Sequence, residues 1–163
     1  MLNAKELIQR KIITGPIPED NIAQHGIDLN LKSVYSISPD THGFIPLKGK
    51  TTLPNYDKLV GNGRGWLLFP GVYEVVFQQG CDIPSDQMLL IRQRSSLLRC
   101  GAIIHSSVFD AGFKTDQIGC FMTVVHPVEI EYGARIAQIY NHQTTPVENL
   151  YDGQWQNDKQ RKN

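Results

Sequence analysis

The chain has 163 residues, 40% of them hydrophobic and 20% charged, with sixteen basic residues against sixteen acidic ones. That length is enough for one domain with a substantial core, and a net charge of zero offers no global positive field to nucleic acid or an anionic membrane. Three cysteines (Cys81, Cys100 and Cys120) are odd in number and lack CxxC spacing, so free thiols in a reducing cytoplasm are expected rather than a disulfide framework or a zinc cluster.

The opening "MLNAKELIQRK" reads as an amphipathic helix capped by Asn3 and running to about Lys11, with Leu7 and Ile8 inward. It carries no charged-then-apolar leader pattern, and no apolar run approaches the ~20 residues of a membrane span. "TGPIPED" breaks the helix. "GIDLNLKSVYSI" then alternates as a strand, with Ile27, Leu29 and Leu31 on one face before the phase shifts to Val34, Tyr35 and Ile37. Residues 38–65 are polar and turn-rich, an excursion from the core.

"WLLFPGVYEVVF" reads as two strand pieces around a Pro-Gly turn, and "QMLLIRQR" as a further strand. "AIIHSSVF", "QIGCFMTVVH", "VEIEY" and "ARIAQIYNH" follow at short spacing. Repeated short strands with almost no helix point to an all-β sandwich, barrel or jelly roll. The tail "YDGQWQNDKQRKN", residues 151–163, has no apolar periodicity and is expected to move unless a ligand holds it. Residues 1–150 are thus expected to form one β domain.

Four stretches carry polar chemistry. "QRSSLLRCG" offers Arg94, Ser95, Ser96 and Arg99, whose guanidinium forks and hydroxyls suit phosphate or carboxylate. Taken alone it equally describes a charged strand end with a serine turn. "VFDAGFK" sets Asp110 before Ala-Gly at the mouth of a hairpin, where it either holds and deprotonates a water or caps its own backbone as an Asx-turn. "EYGARIAQIY" carries Arg135 and Gln138, which point to opposite faces of a regular strand. Asp28 lies between apolar residues of "HGIDLNL", so if buried it requires an arginine or a hydrated cation; otherwise it faces water. "GNGRGW" lacks the strand, helix and GK[ST] of a P-loop. The five histidines are scattered, and no GxSxG elbow supports a triad of Ser95, His105 and Asp110.

The order of "GIDLNL", "RSSLLRCG", "VFDAGFK", "GARIAQI" and "YDGQWQ" resembles the motif order of the dUTPase and dCTP deaminase superfamily from about Asn21 to Gln156, and looks most like dUTPases of the archaeal and phage type. The resemblance implies a distorted jelly-roll-like β fold with one short N-terminal helix, assembled as a homotrimer with interfacial sites, that hydrolyses dUTP to dUMP and pyrophosphate with Mg²⁺. It assigns Asp110 to activating water. Arg94, Ser95, Ser96, Gln138 and Arg99 fall to phosphate binding, and Asp28 to the metal side through water. Phe113 would lie under the deoxyribose, with His105 and Val108 in the hairpin from about Ala102 to Asp110 whose main chain reads the uracil edge. Trp155, with Tyr151 and Gln156 in the tail, would cover the base or sugar, and Lys159, Arg161 and Lys162 would meet the γ-phosphate.

The resemblance also implies that Mg²⁺ is held mainly by the triphosphate and water. Deaminases of this superfamily place a catalytic glutamate about ten residues after the aspartate. Here that strand offers Cys120, Phe121 or Val124, and no acid occurs from Ile118 to Pro127, which disfavours dCTP deamination. A second alternative is a weakly catalytic nucleotide-binding protein that contacts a regulatory protein partner through residues 38–65. A third is hydrolysis of another deoxynucleotide, such as dTTP or dCTP.

Overall fold

The computed structural model describes residues 1–157. Helix α1 (Ala4–Gln9) starts with a capping box: the Asn3 side chain accepts from the Glu6 amide while the Glu6 carboxylate accepts from the Asn3 amide. Leu7 is fully buried and Ile8 partly so. An ion pair between Arg10 and Asp86 ties the end of this helix to the start of the strand at Gln87–Gln93 and holds the Asp86 carboxyl below its usual range, the Arg10 hydrogen bond being the main cause.

Twelve strands follow: β1 (Ile13–Thr14), β2 (Ile27–Ile37), β3 (Tyr56–Lys58), β4 (Gly65–Leu68), β5 (Gly71–Phe77), β6 (Gly80–Asp82), β7 (Gln87–Gln93), β8 (Ala102–His105), β9 (Lys114–Thr115), β10 (Gly119–Val124), β11 (Val128–Glu131) and β12 (Arg135–Gln143). The principal sheet has the order β7-β12-β2-β5-β10-β8, with β3 on the outer part of β2. A bridge from Leu89 to Phe109 and a hydrogen bond from Ser106 Oγ to the Ile91 carbonyl bring its two ends together, so the sheet nearly closes on itself. β1-β6-β9 and β11-β4 form two small sheets beside it. The Pro70-Gly71 turn therefore passes the chain from one sheet to another instead of closing a hairpin, because β4 pairs with β11 and β5 with β2 and β10.

The phase shift in β2 is a bulge: the register with β5 slips between Leu31 and Ser33. Leu29 and Leu31 before the bulge and Val34 after it all reach the core, together with Val75, Phe77, Ile91, Met122 and Ile139. A second bulge, between Arg135 and Ala137 in β12, leaves both Ile136 and Ala137 buried and turns Arg135 to the same side as Gln138. The expectation of opposite faces fails because it assumed regular alternation. "SSLLR" is a second short helix, α2 (Ser95–Arg99), rather than a strand end, and it buries Leu97.

The β12 bulge lies beside Asp28, which is only 4% exposed. Its Oδ2 lies 3.0 Å from Arg94 Nε and 3.6 Å from Arg135, while Gln138 Nε2 donates to its Oδ1 at 3.3 Å. Of the partners the sequence allowed, arginine is the one present, twice over. Arg135 also donates to the Asp20 carbonyl and Arg94 to the Arg135 carbonyl, so β2, β12 and the β7–α2 junction are pinned together.

Asp28→Asn would leave two partly buried guanidiniums facing each other without a counter-charge. Both are about one-third exposed, so solvent screens part of the loss, and the expected cost is roughly 1–3 kcal/mol. Thermal unfolding should show a Tm lowered by several degrees; an unchanged Tm would mean the cluster is not structural. Burial pushes the Cys81 thiol up to about 12, the Asp82 charge adding to it, whereas Cys100 is exposed. At pH 8 one thiol, Cys100, should react quickly with a disulfide reagent in the native protein, and all three after unfolding.

Candidate functional site

A cavity of about 340 Å³ opens beside the loop that follows β8. One wall is that loop, His105 to Asp110; the floor is Thr115, Gln117, Gly119, Cys120 and Phe121. Asp110 begins a turn in which its carbonyl accepts from the Phe113 amide, and Gly112 at φ +87° supplies the left-handed step. The Asx-turn alternative is absent: the Asp110 carboxylate has no hydrogen-bond or ion-pair partner among the described residues and stands exposed at the lip. Phe113 packs beside it against Phe109 and, edge-on, against Tyr151.

Residues 151–157 of the tail lie against this cavity. The Tyr151 amide donates to the Ala111 carbonyl, and Gln156 reaches back to the Gly112 carbonyl and the Lys114 amide at 2.8 and 2.9 Å. Gly112 permits that approach, since a Cβ there would sit 2.6 Å from Leu150 Cβ and 2.8 Å from the Tyr151 nitrogen. Tyr151 and Trp155 line the cavity. Lys159, Arg161 and Lys162, assigned to the γ-phosphate, lie outside the described residues.

Asp110, Phe113, His105, Val108, Tyr151 and Trp155 thus line one cavity. His105 bonds Thr123 Oγ1 at 3.0 Å. The phosphate set is not with them. Arg94 and Gln138 belong to the Asp28 cluster, Ser95 and Ser96 open α2 exposed beside it, and none of these lines the cavity. Arg99 is further removed, exposed in a shallow depression with Cys100, His126 and Glu129. Asp28, assigned to the metal side through water, has its two carboxylate oxygens turned to two guanidiniums and an amide.

Leu53, Tyr56, Gln117 and Glu74 are among the lining residues the sequence reading did not assign to the site. Leu53 and Tyr56 come from the 38–65 excursion, and Tyr56 packs near Phe121. Gln117 follows the hairpin exit. Glu74, 4% exposed, lies directly opposite Phe121 in the β5–β10 pairing. A lone acid inside the apolar run "VYEVVF" was the available signal. With Asp110 and Glu74 acidic and no lysine or arginine among the described residues of its lining, the cavity suits an uncharged ring and sugar, while a polyphosphate is better matched to the arginines of the Asp28 cluster.

Among the described residues no three His, Cys, Asp or Glu side chains converge as metal ligands. No described helix is long and apolar enough to cross a membrane.

Residues 3–144 match the dCTP deaminase-like family. A probable deoxyuridine 5'-triphosphate nucleotidohydrolase of Methanococcoides burtonii is 32% identical, over 97% of this chain and 98% of that protein. The deoxyuridine 5'-triphosphate nucleotidohydrolase of Methanocaldococcus jannaschii is 34% identical over 84% and 88% respectively, and a dCTP deaminase of Acidianus ambivalens 27% over 89% and 83%. Among solved structures, the 2'-deoxycytidine 5'-triphosphate deaminase of Agrobacterium tumefaciens shares the fold at a TM-score of 0.64 and 17% identity, covering 84% of this chain, which spans 46% of that one. The chain belongs to the dCTP deaminase-like family.

Proposed function

We propose that the protein hydrolyses dUTP to dUMP and pyrophosphate in the cytoplasm. The observation that carries this is the unpartnered Asp110 carboxylate at the lip of a ring-sized cavity, next to Phe113. Such a carboxylate can take a proton from water as the water oxygen bonds the α-phosphorus; the bond from that phosphorus to the bridging oxygen breaks, and pyrophosphate leaves. Phe113 gives the sugar a flat apolar face, and the main chain between His105 and Asp110 offers donors and acceptors to a pyrimidine edge. The names of the archaeal relatives agree with this reading.

Charge neutralisation falls to Arg94 and Arg135 with Ser95 and Ser96, which one chain keeps apart from Asp110. We therefore propose a symmetric homotrimer in which a neighbour's arginine cluster meets each cavity. Mg²⁺ enters with the triphosphate, whose charge it neutralises. Among the described residues no carboxylate cage fits it as a resident ion.

A second reading, deamination of dCTP, is favoured by one observation. β10 carries no acid, yet Glu74 on the neighbouring strand brings a carboxylate into the cavity opposite Phe121. Offering dUTP, dCTP, dTTP and UTP separately, with identification of base and phosphate products, decides between the two. Hydrolysis predicts dUMP and pyrophosphate from dUTP, and Asp110→Asn should lower kcat by roughly 10²–10⁴ while sparing nucleotide binding. Substantial turnover by that variant would put the base elsewhere. A uracil product from dCTP that is lost in Glu74→Gln would establish the second reading.

A further inference from the structure

Residues 38–65 fold back on themselves. Phe44 and Thr52 exchange both backbone hydrogen bonds at 2.9 Å, the Ser38 amide donates to the Asn55 carbonyl, and the Asn55 amide to Thr41 Oγ1. Thr51 sits just inside that bridge, and the side-chain amide of Gln154 takes both of its backbone groups. The Thr51 amide donates to Gln154 Oε1 at 2.9 Å, and Gln154 Nε2 donates to the Thr51 carbonyl at 2.7 Å. A carboxamide thereby replaces a strand residue across 103 positions of sequence.

Gln156 does the same on the opposite wall, where its amide group bonds the Gly112 carbonyl and the Lys114 amide. Trp155 lies between the two glutamines, held by paired hydrogen bonds on each side. Its own amide donates to the Tyr151 hydroxyl at 3.2 Å, and the Tyr151 ring packs over Gly153, where a Cβ would lie 2.5 Å from the ring. Both walls so clasped contribute lining: Leu53 and Tyr56 from the excursion, Phe113 and Thr115 from the hairpin.

We infer that the 38–65 excursion is a wall of the nucleotide site, and that Gln154 is a positioning residue which, by clasping the Thr51 backbone, fixes Trp155 over the cavity. The part concerning nucleotide rests on the reading of the cavity given above; the clasp itself does not. The ligand face it completes is an apolar ring between Trp155, Tyr151 and Phe113, matched to the ring and sugar of a nucleotide and not to its phosphates.

Trp155 reports on the clasp directly, because the only other tryptophan, Trp66, is buried. Acrylamide quenching of the full chain should rise, with a red shift of emission, in Gln154→Ala. Thr51→Pro, which removes the donating N–H from the other partner, should do the same, and Trp155→Phe identifies the signal. Loss of two neutral, partly exposed hydrogen bonds should raise KM for the nucleotide about three- to tenfold and leave kcat within about twofold. Quenching unchanged in both variants overturns the inference, as does a fall in kcat with KM unmoved. Increased quenching in a chain that turns over no nucleotide upholds the clasp and overturns the nucleotide reading instead.

Discussion

A carboxylate sealed inside a protein must find positive or hydrogen-bonding partners, because the water it gives up is worth several kcal/mol. Asp28 meets that demand at the crossing of β2 and β12, and much of the molecule follows from how it does so. Arg94 has to leave β7 at the right height to reach it, so β7 ends there and α2 begins. Arg135 has to face the same side as Gln138, which a regular strand forbids, so β12 carries a bulge between Arg135 and Ala137. Three segments distant in sequence are held in one register by a single buried negative charge. The arrangement also leaves the two arginines one-third exposed and close together, a compact cationic site with one acid only partly neutralising it.

The nearly closed sheet separates that cationic site from the cavity. β8 and the loop after it swing back to β7 at Leu89 and Ile91, and the cavity forms on the far side of this seam, between the hairpin and β10. Polar work is thereby divided. One region has arginines and serines outside the described lining of the cavity; the other has the cavity, aromatic rings and two acids. Chemistry on a nucleoside triphosphate needs both, and the proposed symmetric assembly would bring them together without any single chain having to juxtapose them.

Much of this was legible in the sequence, for identifiable reasons. Alternation in "GIDLNL" and short β-branched runs broken by Gly and Pro gave the strands, and the shift at Val34 announced the β2 bulge. The carboxylate of Asp110, the ring of Phe113 and Trp155 in the tail were readable because turn chemistry and motif order locate them without any knowledge of packing. What escaped was decided by tertiary contact. "SSLLR" makes only one turn of helix, too short for periodicity to show. The β12 bulge exists because Asp28 needs Arg135, and no local pattern records that need. Glu74 is one polar residue in an apolar strand, and only its pairing with Phe121 puts it in the cavity. Thr51 could not be singled out at all, since it acts through its backbone.

The central claim is that the Asp110 cavity of one subunit works with the Arg94 cluster of another. Mixing two inactive variants, Asp110→Asn and Arg94→Ala, under conditions that exchange subunits tests it most directly. Sites that draw Asp110 from one chain and Arg94 from its neighbour would be whole again, and random mixing should restore up to about a quarter of native dUTP hydrolysis. Proven subunit exchange with no recovery of activity would place both residues in the same subunit's site and contradict the account.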